Sequence, residues 1–377
     1  MRAQSIPGTW QVGDEPGRRQ FLELKGSDGQ GFSLEAGSRL SSVTVAYETW
    51  GRLNDDGTNA LLVLHALSGD SHAAGPAGPG HLTPGWWDGL IGPGAALDTD
   101  RYFVVCPNVL GGCQGTTGPS SAHDDGRPFG PRFPLVTVRD QVAVEVALAN
   151  ELKVRRWAAV VGGSMGGMRA LEWSVGFPER VERAIVLAVS AAASAEQIAL
   201  CSLQIRAVRS DPAFGQGDYY FSGRQPVEGL GIARGIGHLN YRTESELARR
   251  FARSSQGSEN PMEGGRYAVE SYLEYQGGKL AGRFDANSYI VLSEAMNHHD
   301  VGRGRGGVAR ALGAVRATMT VVGIANDRLY PLAQQYEIAR LLPDATQVHV
   351  IESDFGHDGF LLETEAVGAV VRGALRD

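Results

Sequence analysis

Short apolar runs rich in Val, Ile, Leu and Ala recur along the chain at 43–49, 60–65, 102–107, 157–161, 184–189, 318–324 and 347–351. Several are apolar at nearly every position rather than every second one, the pattern of strands covered by helices on both faces. Between them the spacing becomes helical. Thr137-x-x-Asp140 precedes Val142, Val146 and Ala149, and Met168, Leu171 and Val175 follow one another until Gly176 and Pro178 stop the run. Pro331 opens a helix through Leu341, and Val367, Val370, Val371 and Leu375 give the last helix one apolar face. Strand, turn and helix in alternation predict an α/β protein with a mostly parallel central sheet and helices on both faces.

The stretch 190–305 breaks that rhythm. Ser194-x-x-Gln197 and Thr243-x-x-Glu246 both have the form of capping boxes. The first leads into Ile198, Leu200, Leu203, Ile205 and Val208, and Asp211-Pro212 ends it. Gly, Tyr and Arg dominate the connections, and convincing strands are lacking. The expected organisation is a core of residues 1–189 and 306–377 with a helical lid inserted at 190–305. A chain of 377 residues has room for both.

Composition narrows the partners. The formal net charge is −7, the 35 Lys and Arg are scattered, and Arg249-Arg250 and Arg303–Arg305 lack interleaved aromatics, so no nucleic-acid partner is expected. Nothing approaches 18 consecutive apolar residues, which predicts no membrane span. The N-terminal MRAQSIPGTW has no apolar h-region, so no signal peptide is expected. Cys106, Cys113 and Cys201 form no C-x-x-C pair, and reduced thiols in a cytoplasmic protein follow as the expectation.

The apolar run ending near residue 161 passes into Gly162-Gly163-Ser164-Met165-Gly166 and then into a helical pattern. G-x-S-x-G in that context is the nucleophile elbow: a sharp turn lifts the serine hydroxyl above the sheet edge, and the flanking positions leave no room for side chains. Among 51 glycines the motif alone proves little. A serine also needs a base, and the base needs an orienting group. Asp327 stands just past the strand-like run 318–324, and His357 lies in a Gly-flanked loop after the run 347–351. Ser, acid, His is the chain order this fold requires. Ser164 is therefore read as nucleophile, His357 as general base and acid, and Asp327 as the group that fixes the imidazole tautomer. Met165 N–H and Leu67 N–H, the latter in the loop after an early strand, are the expected oxyanion donors. His65 and His72 are ligand-type residues without a third ligand at suitable spacing, so no metal is expected.

These residues and their surroundings resemble the homoserine O-acetyltransferase family of the α/β-hydrolase fold. The resemblance spans almost the whole chain and is carried by VAYETWGRLN (45–54), LVLHALSGDSHAAG (62–75), GWWDGLIGPG (85–94), NVLGGCQGTTGPSS (108–121), GGSMGGMRALEW (162–173), GLGIARGIGHLNYRTESEL (229–247), RFDANSYIVLSEAMNHHD (283–300) and FGHDGFL (355–361). It implies a ping-pong transfer: acetyl-CoA acylates Ser164, and the hydroxyl of L-homoserine then attacks the acyl-enzyme, in methionine biosynthesis. It places Arg234 on the substrate carboxylate, Asp358 on its amino group and Tyr241 in the same pocket. A zwitterion needs one fixed cation and one fixed anion, and Arg can clamp a carboxylate through two bonds. The family also implies a homodimer joined through the lid and no permanently bound cofactor, acetyl-CoA being the acyl-donor substrate. Arg169 stands where many relatives have glutamine, and Arg328 where an aromatic is frequent, which points to the rim of the site or its acyl preference. Succinyl-CoA as donor, serine as acceptor, and an esterase of the same fold using water remain alternatives. One methylene is worth only about 1–3 kcal/mol in such a pocket.

Overall fold

The apolar runs assemble into one sheet. In the computed structural model, which describes residues 8–26, 29–344 and 346–376, its strands are β1 (Gln20–Leu24), β2 (Val43–Trp50), β3 (Ala60–Leu64), β4 (Phe103–Pro107), β5 (Ala159–Gly163), β6 (Arg183–Leu187), β7 (Thr318–Ile324) and β8 (Val348–Ile351). Residues 1–7 of the segment read above for a leader lie outside the described residues. The spatial order is β1-β2-β4-β3-β5-β6-β7-β8. β2 pairs antiparallel with β1 and β4, and every pairing from β4 through β3, β5, β6 and β7 to β8 is parallel.

The near-continuous apolar runs have the expected cause. Leu62, Leu64, Val160, Val186 and Val321 pack into a core on one face, whereas Leu61, Val63, Val161, Leu187 and Val322 pack into another on the opposite face. Helices α1 (Val138–Glu151) and α2 (Met165–Gly176) bury Val142, Leu148, Met168 and Leu171 against the first face. The last helix, residues 364–376, buries Val367, Val371 and Leu375 against the second, beside Trp87 and Leu90. Thr137 accepts from Asp140 N, and the Asp140 carboxylate takes Thr137 N–H at 2.8 Å, so the predicted N-terminus of α1 is a full capping box.

The chain between β6 and β7 is helical: α3 (Ala195–Ser210), α4 (Val227–Tyr241), α5 (Glu244–Phe251), α6 (Ala268–Ala281), α7 (Ala286–Asn297) and α8 (Val308–Leu312). Its two ends meet in an antiparallel bridge between Ala192 and Asp300, with Ala193 N donating to His299 O and Val301 N to Ala191 O. The Ser194–Gln197 box closes both ways at 3.2 and 2.9 Å. The Thr243–Glu246 box forms only half: Thr243 Oγ1 accepts from Glu246 N, while the Glu246 carboxylate turns to Arg242 and Arg250. Two cations, the largely buried Arg242 and the exposed Arg250, outcompete the backbone donor there. Helix α4 crosses α6 so closely that a Cβ on Gly277 would lie 2.9 Å from Gly231 Cα. Two short helices complete the core, α9 (Leu332–Leu341) after β7 and α10 (Gly359–Leu362) ahead of the last helix, α11 (Thr364–Arg376).

Candidate active site

The carboxyl ends of the parallel strands deliver the chemistry to one place. Ser164, at the β5–α2 junction, has φ +56° and ψ −127°, a conformation that ordinary residues avoid. The turn is enforced by contact: a Cβ on Gly162 would meet Gly166 O at 2.3 Å, and one on Gly166 would meet Leu64 O at 2.0 Å. Neither position tolerates a side chain.

His357 Nε2 lies 2.9 Å from Ser164 Oγ, and His357 Nδ1 lies 2.7 Å from Asp327 Oδ2. Asp327 follows β7 directly. Its other oxygen accepts from Leu329 N at 2.8 Å and Tyr330 N at 2.9 Å, which locks the carboxylate rotamer. His357 sits in a single turn opened by Gly356 at φ +58°. Burial disfavours the imidazolium, but the charge and hydrogen bond of Asp327 outweigh it and raise the pKa above the ordinary histidine value. The rings of Tyr330, Phe360 and Tyr241 stand 5.1, 5.3 and 5.8 Å from the imidazole and wall it off.

Ser164 and His357 line a pocket shared by the loop after β3, α3, α4 and α10. Leu67, Arg234, Tyr241 and Asp358 line the same pocket. Met165, the first residue of α2, has no intrahelical acceptor for its N–H. The eight residues read from the sequence as catalytic, oxyanion-hole or substrate-binding thus lie in one region.

Arg234 Nη1 touches Ser68 Oγ at 3.4 Å, and its guanidinium lies 5.5 Å from the Tyr241 ring centroid. Asp358 Oδ2 is 3.3 Å from Arg242 Nε. Burial pushes the Asp358 carboxyl upward, and Arg242, His357 and Arg234 act against that. The Tyr241 phenol is pushed up to about 12 by burial. Sequence reasoning missed Arg242, although it stands next to Tyr241 in the chain. It also missed Arg283, whose Nη1 donates to Ser68 O at 2.8 Å beneath the pocket loop.

Two other expectations are corrected by position. Arg169 is not at the rim: it is completely buried behind the elbow. His72 does have ligand-type neighbours, Glu48 and His81, all three buried. The His72 and His81 rings are stacked 3.7 Å apart at 10°, however, so their in-plane lone pairs run side by side instead of meeting at a point. His81 Nε2 accepts from Arg18 N at 3.1 Å, and Arg18 Nε is 3.9 Å from Glu48. Glu48 takes His72 Nδ1 and Ser71 Oγ at 3.0 and 3.2 Å, which pins the loop after β3 to β2. His65 is separate: it is held between Ala66 O and Val109 N, and burial lowers its pKa to about 3.

The sheet order, the elbow and the inserted helices define an α/β-hydrolase-fold protein, and residues 59–364 match the model of that fold family. The chain is 59% identical over 366 residues to a homoserine O-acetyltransferase of Thermobifida fusca, covering 97% of this chain and 96% of that one. It superposes on the crystal structure of homoserine O-acetyltransferase from Bacillus anthracis with a TM-score of 0.87 at 30% identity, covering 95% and 97% of the two chains. Esterase E22 superposes with a TM-score of 0.86 at 27% identity, covering 95% and 99%. The chain belongs to the homoserine O-acetyltransferase family.

Proposed function

We propose that this protein transfers an acetyl group from acetyl-CoA to the hydroxyl of L-homoserine through an acyl-serine. The observation that carries the reading is the Ser164–His357–Asp327 hydrogen-bonded chain at the wall of a pocket that also presents a cation, Arg234, and an anion, Asp358. His357 Nε2 takes the Ser164 proton as Oγ attacks the thioester carbonyl. The resulting oxyanion is met by Met165 N–H and Leu67 N–H. Collapse expels the CoA thiolate, which takes the proton from His357, and leaves acetyl on Ser164. The homoserine hydroxyl then gives its proton to His357 and attacks the ester carbonyl. A second collapse returns that proton to Ser164 and releases O-acetylhomoserine. Asp327 keeps the proton of neutral His357 on Nδ1 throughout.

Arg234 is read as the carboxylate clamp, Asp358 as the ammonium partner, and Tyr241 as the wall between them. Acetyl-CoA and homoserine are the two substrates in this scheme; no resident cofactor or metal takes part. The product's place is in methionine biosynthesis. The exposed apolar residues Ile198 and Leu203 on α3, Ile232 and Leu239 on α4 and Tyr275 on α6 support a homodimer joined through the inserted helices, which light scattering would test. Three buried free thiols suit a reducing compartment, and the cytoplasm is the proposed location. No helix among the described residues is long and apolar enough to cross a membrane.

Ester hydrolysis is the second reading, favoured by the likeness to esterase E22. One assay separates them: CoA release from acetyl-CoA and from succinyl-CoA, each with homoserine, serine or no acceptor. Homoserine-dependent release from acetyl-CoA supports the transferase. Equal release without any acceptor would assign a hydrolase.

A further inference from the structure

Helix α2 carries a charged group that the transfer chemistry does not use. Arg169 has no exposed surface, and its guanidinium spans two partners. Nη1 donates to Glu145 Oε1 at 2.6 Å, and Nη2 donates to the backbone carbonyl of His65 at 2.5 Å. Trp173 Nε1 occupies the other Glu145 oxygen at 2.7 Å. Arg169 Nε–H finds no acceptor among the described residues, so the guanidinium is set by its two terminal contacts and not by full hydrogen bonding.

The carbonyl it holds begins the loop that contains Leu67. A peptide unit is planar and trans, so fixing a carbonyl fixes the N–H of the next residue in the opposite direction. Arg169 on His65 O therefore sets the Ala66 N–H. The following carbonyl, Ala66 O, accepts from Gly69 N at 2.9 Å and from His65 Nδ1 at 2.8 Å, which sets the Leu67 N–H. That N–H donates to no acceptor among the described residues. Arg169 also stands one turn beyond Met165, whose N–H is the other free donor, and the first turn of α2 presses on the Leu64–His65 backbone at Gly166. One side chain thus ties the helix bearing one donor to the loop bearing the other. Burial and the Arg169 charge keep His65 neutral, as its two hydrogen bonds require.

We propose that Arg169 is a positioning residue for the oxyanion hole, holding the His65 carbonyl so that the Leu67 and Met165 N–H groups converge on the same developing charge. It rests on the acyl-serine reading above. Losing one oxyanion donor outright costs about 10²–10³-fold in kcat, and a misaligned donor loses part of that.

The test uses R169M, the double variant R169M/E145Q, and S164A in the full-length protein. R169M is expected to slow acylation by acetyl-CoA and deacylation by homoserine alike, each by at least about tenfold, leaving both KM values nearly unchanged. Phenylboronic acid is the second probe, because Ser164 Oγ adds to boron and creates a tetrahedral anion. Its affinity should fall by the same factor as kcat, while CoA binding stays as in wild type. R169M strands the Glu145 charge and lowers Tm. The double variant removes that charge and should recover Tm without recovering either rate or boronate affinity. Recovery of rate together with Tm, or unchanged boronate affinity in R169M, overturns the proposal. Full turnover in S164A with no boronate binding to wild type overturns the acyl-serine reading itself, and with it this role.

Discussion

Replacing Asp327 by Asn tests the assembly at the point where two roles meet in one side chain. Asp327 Oδ2 faces His357 Nδ1 at 2.7 Å, while Oδ1 holds the Leu329 and Tyr330 N–H groups at 2.8 and 2.9 Å. An Asn amide must keep its oxygen at the Oδ1 position, since an NH2 there would face two buried donors. The NH2 then points at His357 Nδ1 and donates to it. The imidazole proton moves to Nε2, where it faces Ser164 Oγ and blocks proton abstraction. The same tautomer error in a comparable triad costs about 10⁴ in kcat, or about 5 kcal/mol at ~1.4 kcal/mol per decade. Because the Oδ1 bonds survive, the turn after β7 is retained. The remaining stability loss has a sign. His357 has a raised pKa in the folded protein through Asp327, so that contribution is fully present below the unfolded value of about 6.5 and disappears as pH rises through the folded value. The Tm difference between wild type and D327N should accordingly be largest below about pH 6.5 and shrink above the raised pKa. Stopped-flow CoA release and calorimetry on one preparation measure both. A D327N rate within tenfold of wild type, with the loss confined to Tm, would show that Asp327 is only a turn cap and refute the triad.

S164A should abolish acyl-enzyme formation and lower turnover by several orders of magnitude, and acetyl-CoA alone should add one acetyl mass to the wild-type peptide carrying Ser164; label on another peptide removes it as nucleophile. In wild type, kcat/KM should rise with pH along a limb whose midpoint lies above the ordinary histidine value of about 6.5, because the base must be neutral and Asp327 raises its pKa; a limb below that value contradicts the assignment. R234A and D358A should each weaken the homoserine-dependent step roughly 30- to 5,000-fold, the cost of about 2–5 kcal/mol for deleting one member of a desolvated charge pair, while the first burst of CoA release stays; unchanged homoserine kinetics in both would return the esterase reading. R242Q removes the cation that opposes the upward push on Asp358, so the homoserine KM should become more sensitive to acid than in wild type; identical KM–pH curves would show that Asp358 does not meet the ammonium.

The sheet was legible because buried parallel strands write themselves as apolar runs: 318–324 is the strand β7 to the residue, and 60–65 and 347–351 overrun β3 and β8 by one position. β1 was not legible, because Gln20–Leu24 is an edge strand with only Leu24 fully buried, so its pattern is mostly polar. Nor does a sequence say that β2 runs antiparallel to its neighbours. Ser164, Asp327 and His357 were legible because each follows a strand and the chain order is fixed by topology. The Arg169 clamp was not, since its partners lie 24 and 104 residues away and no periodicity joins them. From the sequence, Arg249-Arg250 and Arg303–Arg305 show only as basic clusters without interleaved aromatics. The structure gives Arg303 and Arg305 to Glu35 and Glu172, so that pair braces the neck of the insertion.

With Arg234 and Asp358 assigned as proposed, the pocket charges favour a zwitterion over a neutral ester. Asp358 already has Arg242 at 3.3 Å, and Arg234 rests on Ser68 only through a contact of 3.4 Å and on the Tyr241 face. A buried charge costs several kcal/mol unless it is paired, so a ligand that displaces water from either group must supply a counter-charge. A neutral ester supplies no counter-charge and would strip water from Arg234 without replacing it. An amino acid brings a carboxylate to the less satisfied of the two groups and an ammonium to the one whose carboxyl burial pushes toward neutrality. Each added charge meets its opposite, and the desolvation penalty is offset twice. On the proposed assignment, selectivity for an amino-acid acceptor follows from the electrostatic incompleteness of Arg234.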